Sequence, residues 1–219
     1  LGVAFSDPMA DGPVIQRSSE RALARGAGTG YVFDCVRRFR QRDADTPVVL
    51  MGYLNPVEIH GAARYAAEAV AAGVDGVLLV DLPPEEAASF QDAFDAAGLA
   101  LVMLASPTTT DERAAMLCAR AQGYLYYVSY AGVTGADHLD AGVAGQRLAQ
   151  LRAAARVPVV AGFGIKDAAS AAAMAVDADG VVVGSALVAA MAGAESPDQA
   201  AACASTFLAP LRQALDASA

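Results

Sequence analysis

Seven short apolar runs punctuate the chain, each bounded by Gly, Pro or Asp: LGVAF (1–5), PVVLMGY (47–53), GVLLV (76–80), ALVML (100–104), LYYVS (125–129), VPVVAGF (157–163) and GVVVGS (180–185). Runs of this length, rich in Val and Leu, read as β-strands buried on both faces. The segments between them are Ala-rich and carry the 3.6-residue spacing of helices. AARYAAEAVAAG closes at Gly73 and PEEAASFQDAFDAAG at Gly98, and glycine is the usual residue just past a helix C-terminus. Strands that each lead into a helix predict a parallel sheet covered by helices. The expected fold is therefore α/β, a (β/α)8 TIM barrel. Because seven strands are found and the first begins at residue 1, the expectation is a barrel lacking its first βα unit and the start of the second strand. An open doubly wound sheet would need a G-x-G-x-x-G turn after an early strand, and the sequence has none. Neither a linker nor a low-complexity tract interrupts residues 1–219, which read as a single domain.

Composition narrows the function classes. With 219 residues and 55% hydrophobic content, the chain buries one sizeable core. A net charge of -9 and a pI near 4.6 offer no basic surface to a nucleic-acid backbone or an anionic membrane. Small molecules and protein are the expected partners. Cys35, Cys118 and Cys203 are too few and too scattered for a disulfide framework. No apolar run reaches the roughly 18 residues a membrane span needs, and the N-terminal residues lack a signal peptide's basic segment. A cytoplasmic location is expected.

The last two strand-to-helix loops carry the clearest chemistry. Gly162-Phe163-Gly164-Ile165-Lys166-Asp167 leads into one helix and Gly184-Ser185 into another. In barrels these loops often bind phosphate, since glycine lets backbone N–H groups approach an anion and a helix N-terminus favours negative charge. The first loop, FSDPMADGP (5–13), carries two carboxylates, Asp7 and Asp11, held by Pro8 and Pro13 at the end of a strand, the catalytic face of such folds. Asp11 is a candidate catalytic carboxylate, with capping of the helix that starts near Pro13 as the competing reading. Lys166 is the sole lysine and lies outside every strand, which argues against Schiff-base chemistry. His60 and His138 have no partner at helical spacing, so they read as solvated rather than metal-binding. Tyr126 faces away from Leu125 and Tyr127 on its strand.

FSDPMADGPVIQ, LMGYLNP, LLVDLPPEE, YYVSYAGVTGA, AGFGIK and GVVVGSALV, in this order, resemble the tryptophan synthase alpha subunit family over nearly the whole chain. The glycine motifs are common to many phosphate barrels, whereas FSDP-x-ADGP is specific. The resemblance implies reversible cleavage of indole-3-glycerol phosphate to indole and glyceraldehyde 3-phosphate, with no cofactor and no metal. It makes Asp11 the aspartate that meets the indole N–H, Tyr126 the tyrosine near the glycerol hydroxyls and Tyr53 a tyrosine beside the indole pocket. Ile15 and Leu78 would line the apolar part, Thr134 and Gly135 belong to a lid loop, and Gly164, Gly184 and Ser185 would hold the phosphate. Asp7, Asn55 and Pro83 fall where the family meets its beta subunit in an alpha2beta2 assembly. The family's catalytic glutamate directly precedes the pair matched by Leu1-Gly2, so lyase activity is expected of the parent protein. Two other readings compete: a non-catalytic module that binds phosphate and partner, and another phosphate-barrel enzyme of histidine or tryptophan synthesis.

Overall fold

Local chemistry sets where the helices begin and end. Pro13 opens the first helix, α1 (Pro13–Leu23), where a missing N–H leaves no bond unmade. At the other end of the scale, Gly73 and Gly98 close two later helices at φ 96° and φ 77°, left-handed backbone that a side chain resists. The computed structural model describes residues 1–128, 141–162 and 164–217. They fall into two compact units, Leu1–Met103 and Leu104–Ala219.

In the first unit α1 is followed by α2 (Thr29–Arg40), β1 (Val49–Gly52), α3 (Leu54–His60), α4 (Ala62–Ala72), β2 (Gly76–Leu79) and α5 (Ala88–Ala97); β3 (Ala100–Ala105) then carries the chain into the second unit. β1, β2 and β3 pair in sequence order and in parallel, with Met51 beside Leu78 and Leu78 beside Val102. All four residues of β2 are buried, which is why this strand reads as an unbroken apolar run. Tyr65 of α4 bridges Phe33 of α2 and Phe94 of α5, at centroid distances of 5.5 and 6.4 Å.

Two elements differ from expectation. The run 1–5 contributes one bridge, Gly2 to Met51, fixed by bonds from Leu1 N to Val49 O, Met51 N to Leu1 O and Val3 N to Met51 O. It follows the direction of β1 without the length of a strand. The helix expected from Pro84 begins at Ala88, because Glu86 N and Ala87 N turn back to the carbonyls of Pro83 and Pro84.

The second unit continues with α6 (Asp111–Arg120), β4 (Leu125–Val128), α7 (Ala141–Ala154), β5 (Val159–Gly162), α8 (Ala168–Ala175), β6 (Gly180–Val182), α9 (Ser185–Met191) and α10 (Pro197–Asp216). β4, β5 and β6 are parallel and again adjacent in sequence order. Ile165, Ala171 of α8 and Leu211 of α10 form a buried cluster, lined by Met174, Val181 and Phe207.

A shared device locks neighbouring strands in both units. Asp75, just before β2, accepts from Val48 N at 2.6 Å and from the Arg40 guanidinium at 2.5 Å. Asp179, just before β6, accepts from Val159 N at 2.8 Å and from Arg152 at 2.7 Å. The Val159 N–H bond, joined by Arg152, holds the Asp179 carboxyl below its usual range. Each aspartate thus joins a helix to the start of the strand that follows that helix.

Tyr127 of β4 is fully buried, and among the described residues its hydroxyl has no hydrogen-bond partner. An unsatisfied buried hydroxyl costs stability, so Tyr127→Phe is expected to raise the unfolding free energy by about 1 kcal/mol in denaturant titrations. A clear loss would show that the hydroxyl is satisfied in solution.

Candidate active site

The first loop folds on itself before α1 begins. Met9 N donates to Asp7 O and Asp11 N to Pro8 O, a tight turn between the two prolines. It delivers Asp11 half-buried, with Oδ2 accepting from the Tyr53 hydroxyl at 3.0 Å. That hydroxyl also accepts from Ala10 N at 3.0 Å. Tyr53 follows β1 directly, is 5% exposed, and lays its ring against Phe5 at 5.3 Å.

Asp11 does not cap α1. The N-cap is Gly12, and no side chain bonds to the first turn; instead the Asp11 carbonyl accepts from the Gln16 amide at 2.9 Å. Burial raises the Asp11 carboxyl above its usual range, while the bond from Tyr53 pulls it back. Burial also pushes the Tyr53 phenol up to about 12, with the Asp11 carboxylate adding to the shift. Tyr53 therefore keeps its proton and can donate it as a hydrogen bond. Among the described residues Oδ1 of Asp11 has no partner, so the site offers an acceptor oxygen on a carboxylate held by its other oxygen.

Asp81, which sequence reasoning did not single out, lies two residues beyond β2 and accepts from Leu54 N at 2.7 Å. This caps α3 from the neighbouring loop, since Tyr53 at the N-cap makes no side-chain cap of its own. The available signal was an acidic residue at a strand end in LLVDLPPEE. Of the remaining residues in this unit, Leu78 is buried in β2 and Ile15 is half-buried on α1. Asp7 and Asn55 are exposed, Asp7 accepting from the Ser6 hydroxyl at 2.6 Å, and Pro83 is half-buried. His60 is not simply solvated: its Nε2 pairs with Glu68 at 2.9 Å.

In the second unit Tyr126 of β4 is 7% exposed and lies over the backbone of Gly162, at the end of β5. A Cβ at Gly162 would fall 1.9 Å from the Tyr126 hydroxyl. The glycine is required by this close approach, a constraint that its place in a glycine-rich loop had concealed. Burial pushes the Tyr126 phenol up to about 12. Gly164 has φ 76° and, like Gly184, open space where a Cβ would stand.

The two helices after the glycine loops begin differently. α8 is capped by its own Asp167, whose side chain accepts from Ser170 N at 2.8 Å in a reciprocal capping box. α9 starts at Ser185 with Gly184 as N-cap and no side-chain cap, so its first N–H groups suit an anion better. Lys166 is exposed beside Asp167. Thr134, Gly135 and His138 lie outside the described residues. Among the described residues no cluster of His, Cys, Asp and Glu could hold a metal ion, and no helix is long and apolar enough to cross a membrane.

The family model described as "Tryptophan synthase alpha chain" matches residues 1–216. A tryptophan synthase alpha chain from Xanthomonas axonopodis pv. citri is 71% identical over 217 residues, covering 99% of this chain and 81% of the relative. The crystal structure of tryptophan synthase subunit alpha from Legionella pneumophila superposes with a TM-score of 0.89 at 45% identity, covering 99% of this chain and 80% of that one. A structure of the tryptophan synthase a2b2 complex from Pyrococcus furiosus gives 0.87 at 38% identity, covering 97% and 85%. These likenesses agree with the α/β class and the parallel strand order found in each unit.

Proposed function

The chain belongs to the tryptophan synthase alpha chain family, and from that premise we propose how its residues serve the family's reaction, the reversible cleavage of indole-3-glycerol phosphate to indole and glyceraldehyde 3-phosphate. The observation that carries the assignment is the Asp11 carboxylate, uninvolved in capping and held through one oxygen by Tyr53. Protonating the indole ring carbon develops positive charge that the ring nitrogen shares. A carboxylate oxygen at the indole N–H stabilises that charge where it forms, which lowers the barrier rather than merely tightening binding.

Ile15 and Leu78 border the indole in this reading, Tyr53 stands beside the pocket, and Tyr126 meets the glycerol hydroxyls. The phosphate is assigned to Gly164, Gly184 and Ser185, with the uncapped start of α9 providing N–H donors. Thr134 and Gly135 are assigned to the lid by family resemblance. Asp7, Asn55 and Pro83 form the face for the beta subunit, in an assembly of the kind solved for the Pyrococcus furiosus protein. Residues 1–219 act as one domain, in the cytoplasm, and the reading invokes no cofactor.

Gly184→Val tests the phosphate assignment. Its side chain would project into the space the anion needs, so binding of a glycerol-phosphate analogue is expected to weaken about tenfold or more by calorimetry, while indole affinity holds. Unchanged analogue affinity would remove this loop from the site.

A further inference from the structure

Three loops that are distant in sequence are tied to one another through Tyr53, and the ties converge on Asp11. The hydroxyl of Tyr53 donates to Asp11 Oδ2 and accepts from Ala10 N, both at 3.0 Å and across about forty residues of chain. Its ring packs on Phe5, which precedes the same loop. One residue further on, Leu54 N is held at 2.7 Å by Asp81 from the loop after β2, across 27 residues. We infer that Asp81 and Tyr53 form a positioning chain that sets the orientation of the Asp11 carboxylate.

The alternative role for Tyr53 is direct contact with the substrate. Its geometry opposes this. Its hydroxyl already donates once and accepts once within the protein. What it can control is the carboxylate: with Oδ2 fixed and the loop anchored at Ala10, Oδ1 is presented in one direction. Asp81 acts a step earlier, because pinning Leu54 N fixes the backbone from which the Tyr53 ring extends. Neither residue need touch the reacting atoms, and both are positioning residues. The inference rests on the assignment of Asp11 to the indole N–H.

The test uses the full protein and two readouts. Tyr53→Phe keeps the ring on Phe5 and removes only the hydroxyl. It is expected to lower kcat for indole release roughly 10- to 100-fold with KM changed less than about threefold, since displacement of a reacting group costs rate rather than binding. Followed by carbon NMR of labelled aspartate, Asp11 should titrate at higher pH in this variant, because a bond that favours the carboxylate is gone. Asp81→Ala should reproduce part of both effects, and Asp81→Asn should restore them, as an amide oxygen still accepts from Leu54 N. A rise in KM with kcat and the Asp11 titration unmoved would make Tyr53 a substrate contact and overturn the inference; so would equal losses in Asp81→Asn and Asp81→Ala. If Asp11→Asn itself leaves kcat intact, the active-site assignment fails and takes the inference with it. If only Asp11→Asn lowers kcat, the positioning chain alone fails.

Discussion

Asp11→Asn is expected to cut the rate of indole release by ~10²- to 10⁴-fold while leaving the affinity for indole-3-glycerol phosphate within a few-fold of its starting value. The substitution is nearly isosteric, and an amide oxygen can still accept from the Tyr53 hydroxyl, so the loop should keep its place. On the proposed assignment, what disappears is a negative charge facing the nitrogen on which positive charge develops. Stability should move the other way. Burial raises the folded-state pKa of Asp11 above its unfolded value. The folded chain therefore holds its proton more tightly, and stability falls as pH rises from the unfolded pKa through the folded one. Above that window the ionised group is a standing cost to the fold. Asp11→Asn removes the cost, so its melting temperature at neutral pH should equal or exceed that of the parent, and the fall that Asp11 contributes across the carboxylate range should be gone. A mutant that melts lower and retains its rate would restore Asp11 to a structural role.

Gly162→Ala should be nearly as damaging, although it adds a single methyl group. Its Cβ would sit 1.9 Å from the Tyr126 hydroxyl, 2.5 Å from Cζ and 3.0 Å from Cε2, so the ring cannot stay where it is. Tyr126 is almost wholly buried, and pushing it aside disturbs its neighbours at an overpacking cost of about 1–3 kcal/mol. With Tyr126 meeting the glycerol hydroxyls, as proposed, a displacement of an ångström or more lowers kcat/KM on the order of 10²-fold. The two effects separate in a double mutant. With Tyr126→Ala already present, Gly162→Ala has nothing to strike, and its cost in denaturant titrations should vanish. Additive losses in the cycle would show that the methyl group collides with something other than Tyr126.

Six of the seven apolar runs are strands, and in five of them burial is the reason, since a parallel strand with helices over it must be apolar throughout: Leu50, Val77, Leu101, Leu125 and Val159 are each at most 1% exposed, whereas β6 is half-buried. Gly73 and Gly98 mark helix ends for an equally local reason, since left-handed backbone selects glycine. The glycine loops before α8 and α9, and the family motif around Asp11, were legible in the same way, as short patterns along the chain. Sequence by itself therefore determined the order of elements, the parallel class and the segments from which a site is drawn. The tertiary structure decided which individual side chains meet there. Cap and catalytic carboxylate are equally good readings of Asp11 from its neighbours; the structure puts Gly12 at the N-cap and bonds Asp11 to Tyr53, 42 residues away. Asp81, the Gly162 contact with Tyr126 and the His60 pairing with Glu68 were hidden for the same reason. Strand and helix periodicities report which face of an element is buried. They carry no information about which residues meet where separate loops and strands are brought together, and those meetings fix the charge, orientation and spacing on which the chemistry depends.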